Sequence, residues 1–176
     1  MTKSAVFRTP WGWMGIAASA RGVCAIVLPK PSCRAVERAL RVQNVSSNGH
    51  LAPPDRLLRD AQTQVAAYLA GKQRTLDFPI DLSDGTPFQR RVWQTALRIP
   101  YGRARSYQWI ASKIGGRRYS RAVGNALGAN PVPLIVPCHR VVAHDASLGG
   151  FSCGLTVKRK LLKLEGTLAL LQQGTR

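Results

Sequence analysis

Residues Val132–Val142 read VPLIVPCHRVV, and no other stretch limits so sharply what the chain can become. Apolar runs flank an abrupt Cys138-His139-Arg140, which draws reactive and charged groups into what must be interior. Buried without partners, such groups are costly. His139 therefore needs an acceptor, and residues 86–176 contain only two acids, Asp145 and Glu165. Cys138, His139 and Glu165 together read as nucleophile, base and orienter. Neighbouring side chains of an extended chain point to opposite faces, so His139 reaches Cys138 only through a local turn or a bridging water. A cation beside a cysteine stabilises its thiolate, which makes Cys138 a reactive thiol in this reading. The same trio would suit a thiol hydrolase.

Charge narrows the setting. The 176 residues carry 26 Lys and Arg against 8 Asp and Glu, a net +18. Residues 1–85 hold 11 basic and 6 acidic side chains, a net +5, whereas residues 86–176 hold 15 and 2, a net +13. Solubility needs only ~2–8 net charges. An excess of this size implies a polyanionic partner, and the second half should present the nucleic-acid surface.

With 45% hydrophobic residues the chain can bury a core as one ordinary or two small domains, which excludes disorder and a disulfide-dense scaffold. Its cysteines, Cys24, Cys33, Cys138 and Cys153, form no CxxC pair, so a reduced intracellular protein without a metal site is expected. No stretch approaches the roughly 20 apolar residues of a membrane span. The apolar run Trp11–Ala18 is interrupted by Gly12 and Gly15 and follows Pro10, which favours a strand pair over a signal peptide.

The pattern along the chain gives a first hairpin turning at Thr9-Pro10-Trp11-Gly12, then a strand at Val23–Leu28 entered through Ala20-Arg21-Gly22. Ser32–Val42 reads as a helix with Ser32 as N-cap. Gln43–Pro54 reads as a polar loop. Asp55 starts a second helix, with Leu58, Ala61, Val65 and Leu69 at helical spacing and Gly71 at its end. Asp77–Gly85 reads as an extended linker. Thr86-Pro87 opens a further helix as N-cap and N1, with Val92, Trp93, Ala96 and Leu97 on its apolar face, stopped by Ile99-Pro100-Tyr101-Gly102. Short helices at Ser106–Ile114 and from Ser120 to about Ala129 surround Gly115-Gly116, a helix-turn-helix spacing. The second is slim, with Ala122, Gly124, Ala126, Gly128 and Ala129, and Arg103, Arg105, Arg117, Arg118 and Arg121 cluster around it. Close docking on nucleic acid explains that combination better than helix packing alone.

These residues resemble the O6-alkylguanine-DNA alkyltransferases, the methylated-DNA–protein-cysteine methyltransferase family. The resemblance rests on Gly85-Thr86-Pro87-Phe88-Gln89, Ile99-Pro100-Tyr101-Gly102, Ser106-Tyr107, Arg121-Ala122-Val123-Gly124 and Asn130-Pro131 through Val142, in that order. It is strong over residues 85–166 and fainter before them. It implies an α/β protein: a small ribonuclease-H-like α/β domain at residues 1–84, then a mainly helical winged helix-turn-helix domain at residues 85–176 that binds the minor groove of double-stranded DNA. The implied activity is DNA repair by stoichiometric transfer of the alkyl group from O6-alkylguanine, and from O4-alkylthymine, to Cys138 after base flipping. Cys138, His139, Glu165, Asn130 and Tyr107 would be catalytic. Pro133, Val141, Phe151, Ser152 and Cys153 would surround the base. Gln89, Tyr107, Gln108, Arg121, Ala122, Gly124 and His144 would meet DNA, with Arg121 entering the stack. No cofactor, no metal and no membrane are implied, with a location that is cytoplasmic in a bacterium or archaeon and nuclear in a eukaryote, a monomer as the ground state and self-association on DNA left open.

The sequence also departs from the family. Phe151 stands where Tyr is frequent, Cys153 where Gly is usual, and His144 where a small polar residue is usual. None removes the nucleophile; the alkyl-size preference is what they affect. A winged-helix transcription factor would account for the charge but leave Cys138-His139-Arg140 without a purpose.

Overall fold

The computed structural model describes residues 2–42 and 56–173. The chain is mixed α/β and divides into two compact units, Met1–Asp84 and Gly85–Arg176. The Gln43–Pro54 loop and the Asp55 helix start expected above lie outside the described residues.

The first unit is built on three antiparallel strands in the order β1 (Lys3–Thr9), β2 (Gly12–Ser19), β3 (Gly22–Lys30). Pro10-Trp11 and Ala20-Arg21 form the turns, as the Gly and Pro positions suggested. Helix α1 (Cys33–Val42) packs on one face through Val36 and Leu40, against Ala17, Ala25 and Val27. It comes close because β2 carries Gly15 there: a Cβ would lie 2.6 Å from Val36 Cγ1. The opposite face also buries Met14, Ile16 and Ile26. Helix α2 (Arg56–Leu69) lies against the same strands, burying Leu58, Ala61, Val65 and Tyr68. It ends as Gly71 demands, at φ +73°, with Lys72 N donating to Ala67 O and Gly71 N to Tyr68 O. Ser32 Oγ accepts from Ala35 N at the start of α1, as an N-cap should.

Asp77–Gly85 departs from a plain linker. Val23 N donates to Pro79 O and Asp81 N to Val23 O, so Ile80 bridges to β3 in parallel. Asp81 then accepts from Ser19 Oγ at 2.6 Å and from Arg21 Nε at 3.2 Å. Burial alone would raise its carboxyl, but these donors and Ser83 hold it well below the usual range.

The second unit is mainly helical: α3 (Pro87–Ala96), α4 (Tyr107–Ile114), α5 (Ser120–Gly128), α6 (Leu155–Leu164) and α7 (Thr167–Gln173). A two-residue parallel pair, β4 (Arg105–Ser106) with β5 (Val141–Val142), ties the start of α4 to the segment after Arg140. Helix α3 opens with a full capping box between Thr86 and Gln89. It is locked to α5 by Trp93 Nε1 donating to Ala126 O at 2.8 Å. Leu97, expected on its apolar face, is instead the C-cap and is 39% exposed. Ser106 caps α4, and a single 3₁₀ turn, Arg117–Tyr119, leads from Gly115-Gly116 into α5.

Candidate active site

Cys138–Arg140 form a 3₁₀ turn, closed by Arg140 N donating to Pro137 O, and the extended run expected around them gives way at that point. Leu134, at φ +79°, bends the approach. All of Cys138, His139 and Arg140 are buried. The partner of His139 and Arg140 is Glu165, which caps α6 and sits 2.6 Å from His139 Nε2 through Oε1. Arg140 Nε donates to Glu165 Oε2 at 2.8 Å and Arg140 Nη1 to Ile99 O at 2.7 Å. Gly102 N also donates to Glu165 Oε2. Burial alone would raise the carboxyl; the hydrogen bonds from His139 and Arg140 hold it well below its usual range.

Arg140 turns to Glu165 and the Ile99 carbonyl, and the nearby cation that favours the Cys138 thiolate is Lys158. Burial pushes Cys138 up to about 11, against the opposing hydrogen bond from Asn130 and the charge of Lys158. At neutral pH the resting group is a thiol. Asn130 Nδ2 donates to Cys138 Sγ at 3.2 Å and to Val136 O at 2.9 Å, while its Oδ1 accepts from Val132 N. Asn130 thus fixes both the turn and the sulfur. Burial lowers the pKa of His139, partly offset by Glu165. Because Glu165 is ionised, Nε2 carries the imidazole proton and Nδ1 is the acceptor. Nδ1 is buried with no hydrogen-bond partner among the described residues.

Lys158 of α6 was not singled out in the sequence. It is fully buried, and its Nζ donates to the carbonyls of Val141, Leu148 and Gly150. It lies 5.9 Å from the Tyr107 ring and 5.8 Å from the Phe151 ring. Burial lowers it to about 8, offset in part by Cys138. Tyr107 Oη donates to the same Gly150 carbonyl at 3.1 Å, and burial raises its phenol. One ammonium thus ties the loop after β5 to the wall around the thiol. The signal for it was available: Lys158, Leu161, Leu162 and Glu165 fall at i, i+3, i+4 and i+7, the buried stripe of one helix face.

Cys138 opens into a cavity of about 530 Å³ bounded by Tyr107, Gly124, Asn125, Phe151 and Ser152. That volume suits a small organic group or a single base. Ser120, Leu127 and Gly128 complete the α5 side, and their spacing with Gly124 is that of one helix face.

Residues 87–167 match the family model described as the DNA-binding domain of 6-O-methylguanine DNA methyltransferase. The methylated-DNA–protein-cysteine methyltransferase of Mycobacterium tuberculosis is 46% identical over 123 residues, 70% of this chain and 74% of that one. The chain belongs to the methylated-DNA–protein-cysteine methyltransferase family. The protein of that name from Methanosarcina acetivorans is 44% identical over 113 residues, 64% of this chain and 72% of its own. Among solved structures, that of Mycobacterium tuberculosis OGT in complex with DNA matches with a TM-score of 0.76 at 35% identity, over 94% of each chain.

Measured against the family pattern, the structure brings Cys138, His139, Glu165, Asn130 and Tyr107 together around one turn and one cavity. Phe151 and Ser152 line that cavity. Pro133, Val141 and Cys153 do not: Pro133 bridges to Val136, and the Val141 carbonyl is taken by Lys158. Arg121 is exposed at the start of α5, with Ala122 and Gly124 following it. Gln89 has its Oε1 in the α3 capping box, accepting from Thr86 N. Gln108 is half-buried on α4, and His144 is exposed in the turn before Ser147. Cys24 and Cys33 donate to Ala17 O and Glu37 Oε1, and among the described residues no cluster of His, Cys, Asp or Glu could hold a metal. No described helix is long and apolar enough to cross a membrane.

Proposed function

We propose that the protein repairs O6-alkylguanine in double-stranded DNA by moving the alkyl group onto its own Cys138, once per molecule. The observation that carries this reading is a buried thiol opening into a base-sized cavity beside a neutral His139 whose Nδ1 has no hydrogen-bond partner among the described residues. A water between Sγ and Nδ1 passes the thiol proton to His139, and Glu165 stabilises the imidazolium that results. Lys158 and Asn130 favour the thiolate electrostatically. The thiolate attacks the sp³ carbon, the S–C bond forms as the C–O bond breaks, and guanine leaves with a proton supplied at its ring by Tyr107. The product is a thioether, which water does not hydrolyse, so turnover stops.

The base must leave the stack to reach Cys138. Arg121 fills the gap, and slim α5, with Ala122 and Gly124, lets the backbone approach the minor groove. In this reading residues 85–176 are a winged helix-turn-helix domain and residues 1–84 a ribonuclease-H-like domain. Phe151, Ser152 and the backbone around Cys138 read the base, while Gln89, Gln108 and His144 lie along the DNA. O4-alkylthymine reacts by the same displacement. The protein acts as a monomer in the cytoplasm, and the chemistry uses no cofactor because nucleophile and proton relay are its own side chains.

Intact-mass measurement after mixing with an O6-methylguanine duplex tests the reading. One added methyl is expected, lost in Cys138→Ser while duplex binding is kept. No mass gain, or a methyl found on Cys153, overturns it.

A further inference from the structure

We infer that Asn125, on the outer face of α5, reads a base pair beside the lesion through the minor groove and makes the protein prefer a G·C pair there. The inference rests on the repair reading above and adds to it a residue that decides which duplexes react fastest.

Helix α5 buries Val123, Ala126 and Leu127. At helical spacing Arg121, Gly124, Asn125 and Gly128 fall on the opposite side, where Arg121, Asn125 and Gly128 are exposed. Arg121 only donates hydrogen bonds and the glycines carry no side chain. The carboxamide of Asn125 is therefore the group on this face that both donates and accepts. Gly128 leaves it unscreened, since even a Cβ there would meet nothing within 4 Å. Among the described residues no hydrogen bond engages that carboxamide. Asn130, by contrast, uses both halves of its own on Val132, Val136 and Cys138.

Asn125 also lines the cavity into which Cys138 opens and, being exposed, stands at its rim. Arg121, the residue that fills the gap in the stack, precedes it by one turn, about 6 Å along the helix axis. Base pairs stack ~3.4 Å apart, so Asn125 comes within two pairs of that gap. A neighbouring pair that stays in the duplex is what it meets there.

In the minor groove an A·T pair presents only acceptors, whereas a G·C pair adds the guanine N2 amino donor. Against A·T, Asn125 Nδ2 can donate but Oδ1 faces acceptors and loses its water without replacement. Against G·C both halves are satisfied: Nδ2 donates to guanine N3 and Oδ1 accepts from the N2 amino group. The difference is one net hydrogen bond, about fivefold in rate.

The test times methyl uptake, by intact mass under single-turnover conditions, from O6-methylguanine duplexes that differ only at the pairs one and two steps from the lesion. Each such pair is G·C or I·C, because inosine lacks just the N2 amino group. Wild type is expected to react about fivefold faster with G·C at one of these positions. Weaker I·C pairing eases extrusion, so a slower reaction on I·C runs against the change in duplex stability. Asn125→Ala should bring the ratio to one, and so should Asn125→Ser, with melting temperatures as the check on folding. Equal wild-type rates on G·C and I·C at every position overturn the inference. A ratio that survives both substitutions overturns it too, because another group then reads the amino group. So does an equal slowing of Asn125→Ala on duplex and on free O6-methylguanine, which would make Asn125 a holder of the extruded base. Failure of the repair reading looks different: no methyl reaches Cys138 from any duplex, and the inference falls with it.

Discussion

At the residue scale the least expected group is Lys158, an ammonium held among carbonyls at the edge of the catalytic cavity. Lys158→Met strands the acceptors at Val141, Leu148 and Gly150 and should cost on the order of 3 kcal/mol in denaturant unfolding. It should also raise the pH at which Cys138 becomes reactive, because a cation favouring the thiolate is gone. The pH dependence has a definite sign. The folded value, about 8, lies below the 10.5 of the free side chain, so between them the unfolded chain binds the extra proton. Stability contributed by this group therefore rises from about pH 8 to 10.5, as the cost of the buried charge is relieved. Urea titrations of wild type and Lys158→Met on either side of pH 8 measure it; a difference that does not change with pH counts against a charged Lys158.

His139 and Glu165 should behave as one unit in rate but not in stability. His139→Gln and Glu165→Gln should each slow methyl uptake, and the double change should cost little more than the worse single one. Glu165→Gln should be the more destabilising, by about 3–5 kcal/mol, because it also leaves Arg140 buried without its carboxylate. Since the Glu165 carboxyl is held below its unfolded value, its contribution is present above the ordinary carboxylate range and is lost as the pH falls through the folded value. Strictly additive rate losses in the cycle would leave Glu165 only a packing role. This trio was legible because Glu165 is one of two acids in a strongly basic half and the residues around Cys138 are apolar. Lys158 is marked only by the helical stripe it shares with Leu161, Leu162 and Glu165: it is one of many cations, twenty positions along the chain from the thiol, while the nearer Arg140 turns to Glu165.

At the element scale, two glycines that face Tyr107 make opposite predictions. Gly149 sits at φ +65°, and a Cβ there would lie 2.9 Å from Tyr107 Cε2 and 3.1 Å from its Oη. Gly149→Ala should strain the loop, push Tyr107 off the Gly150 carbonyl, and slow transfer about tenfold, ~1.4 kcal/mol in the barrier. Gly124, inside α5, would place a Cβ 3.8 Å from Tyr107 Cε1, an ordinary contact. Gly124→Ala should stabilise the helix by roughly 0.5–1 kcal/mol while narrowing the space for a base. Melting temperatures and single-turnover rates for the pair separate the two effects; a Gly149→Ala protein with normal rate would remove Tyr107's placement from the chemistry. Helix starts such as Thr86-Pro87 and Ser106 were readable because a cap is a local hydrogen bond between residues three apart. The pairing of Pro79–Asp81 with β3 was not, since it joins main-chain groups more than fifty residues apart and leaves no side-chain pattern in a stretch of Asp, Pro and Ser.

At the scale of the whole molecule, burial redistributes the charge that composition reports. Arg140 and Lys158 are buried, and so is Glu165, which leaves Asp145 as the one exposed Asp or Glu side chain among the described residues of 86–176. The second unit therefore presents a nearly unopposed cationic surface, and the binding of duplex DNA should be dominated by release of counterions. Log affinity should fall linearly with log salt, by about 0.9 for each phosphate neutralised. Arg117 and Arg118, exposed in the turn before α5, are placed to make such contacts, and each Arg→Ala change should lower the slope by about one. Arg121 should behave differently, because its proposed place is in the stack left by the extruded base. Arg121→Ala should leave the slope close to wild type, sharply slow methyl uptake from a duplex, and spare uptake from free O6-methylguanine, which needs no extrusion. Salt titrations of duplex binding, with single-turnover rates on both substrates, carry the test. If Arg121→Ala slows both substrates alike, the side chain supports α5 instead of the extrusion step, and the flipping part of the mechanism loses its agent.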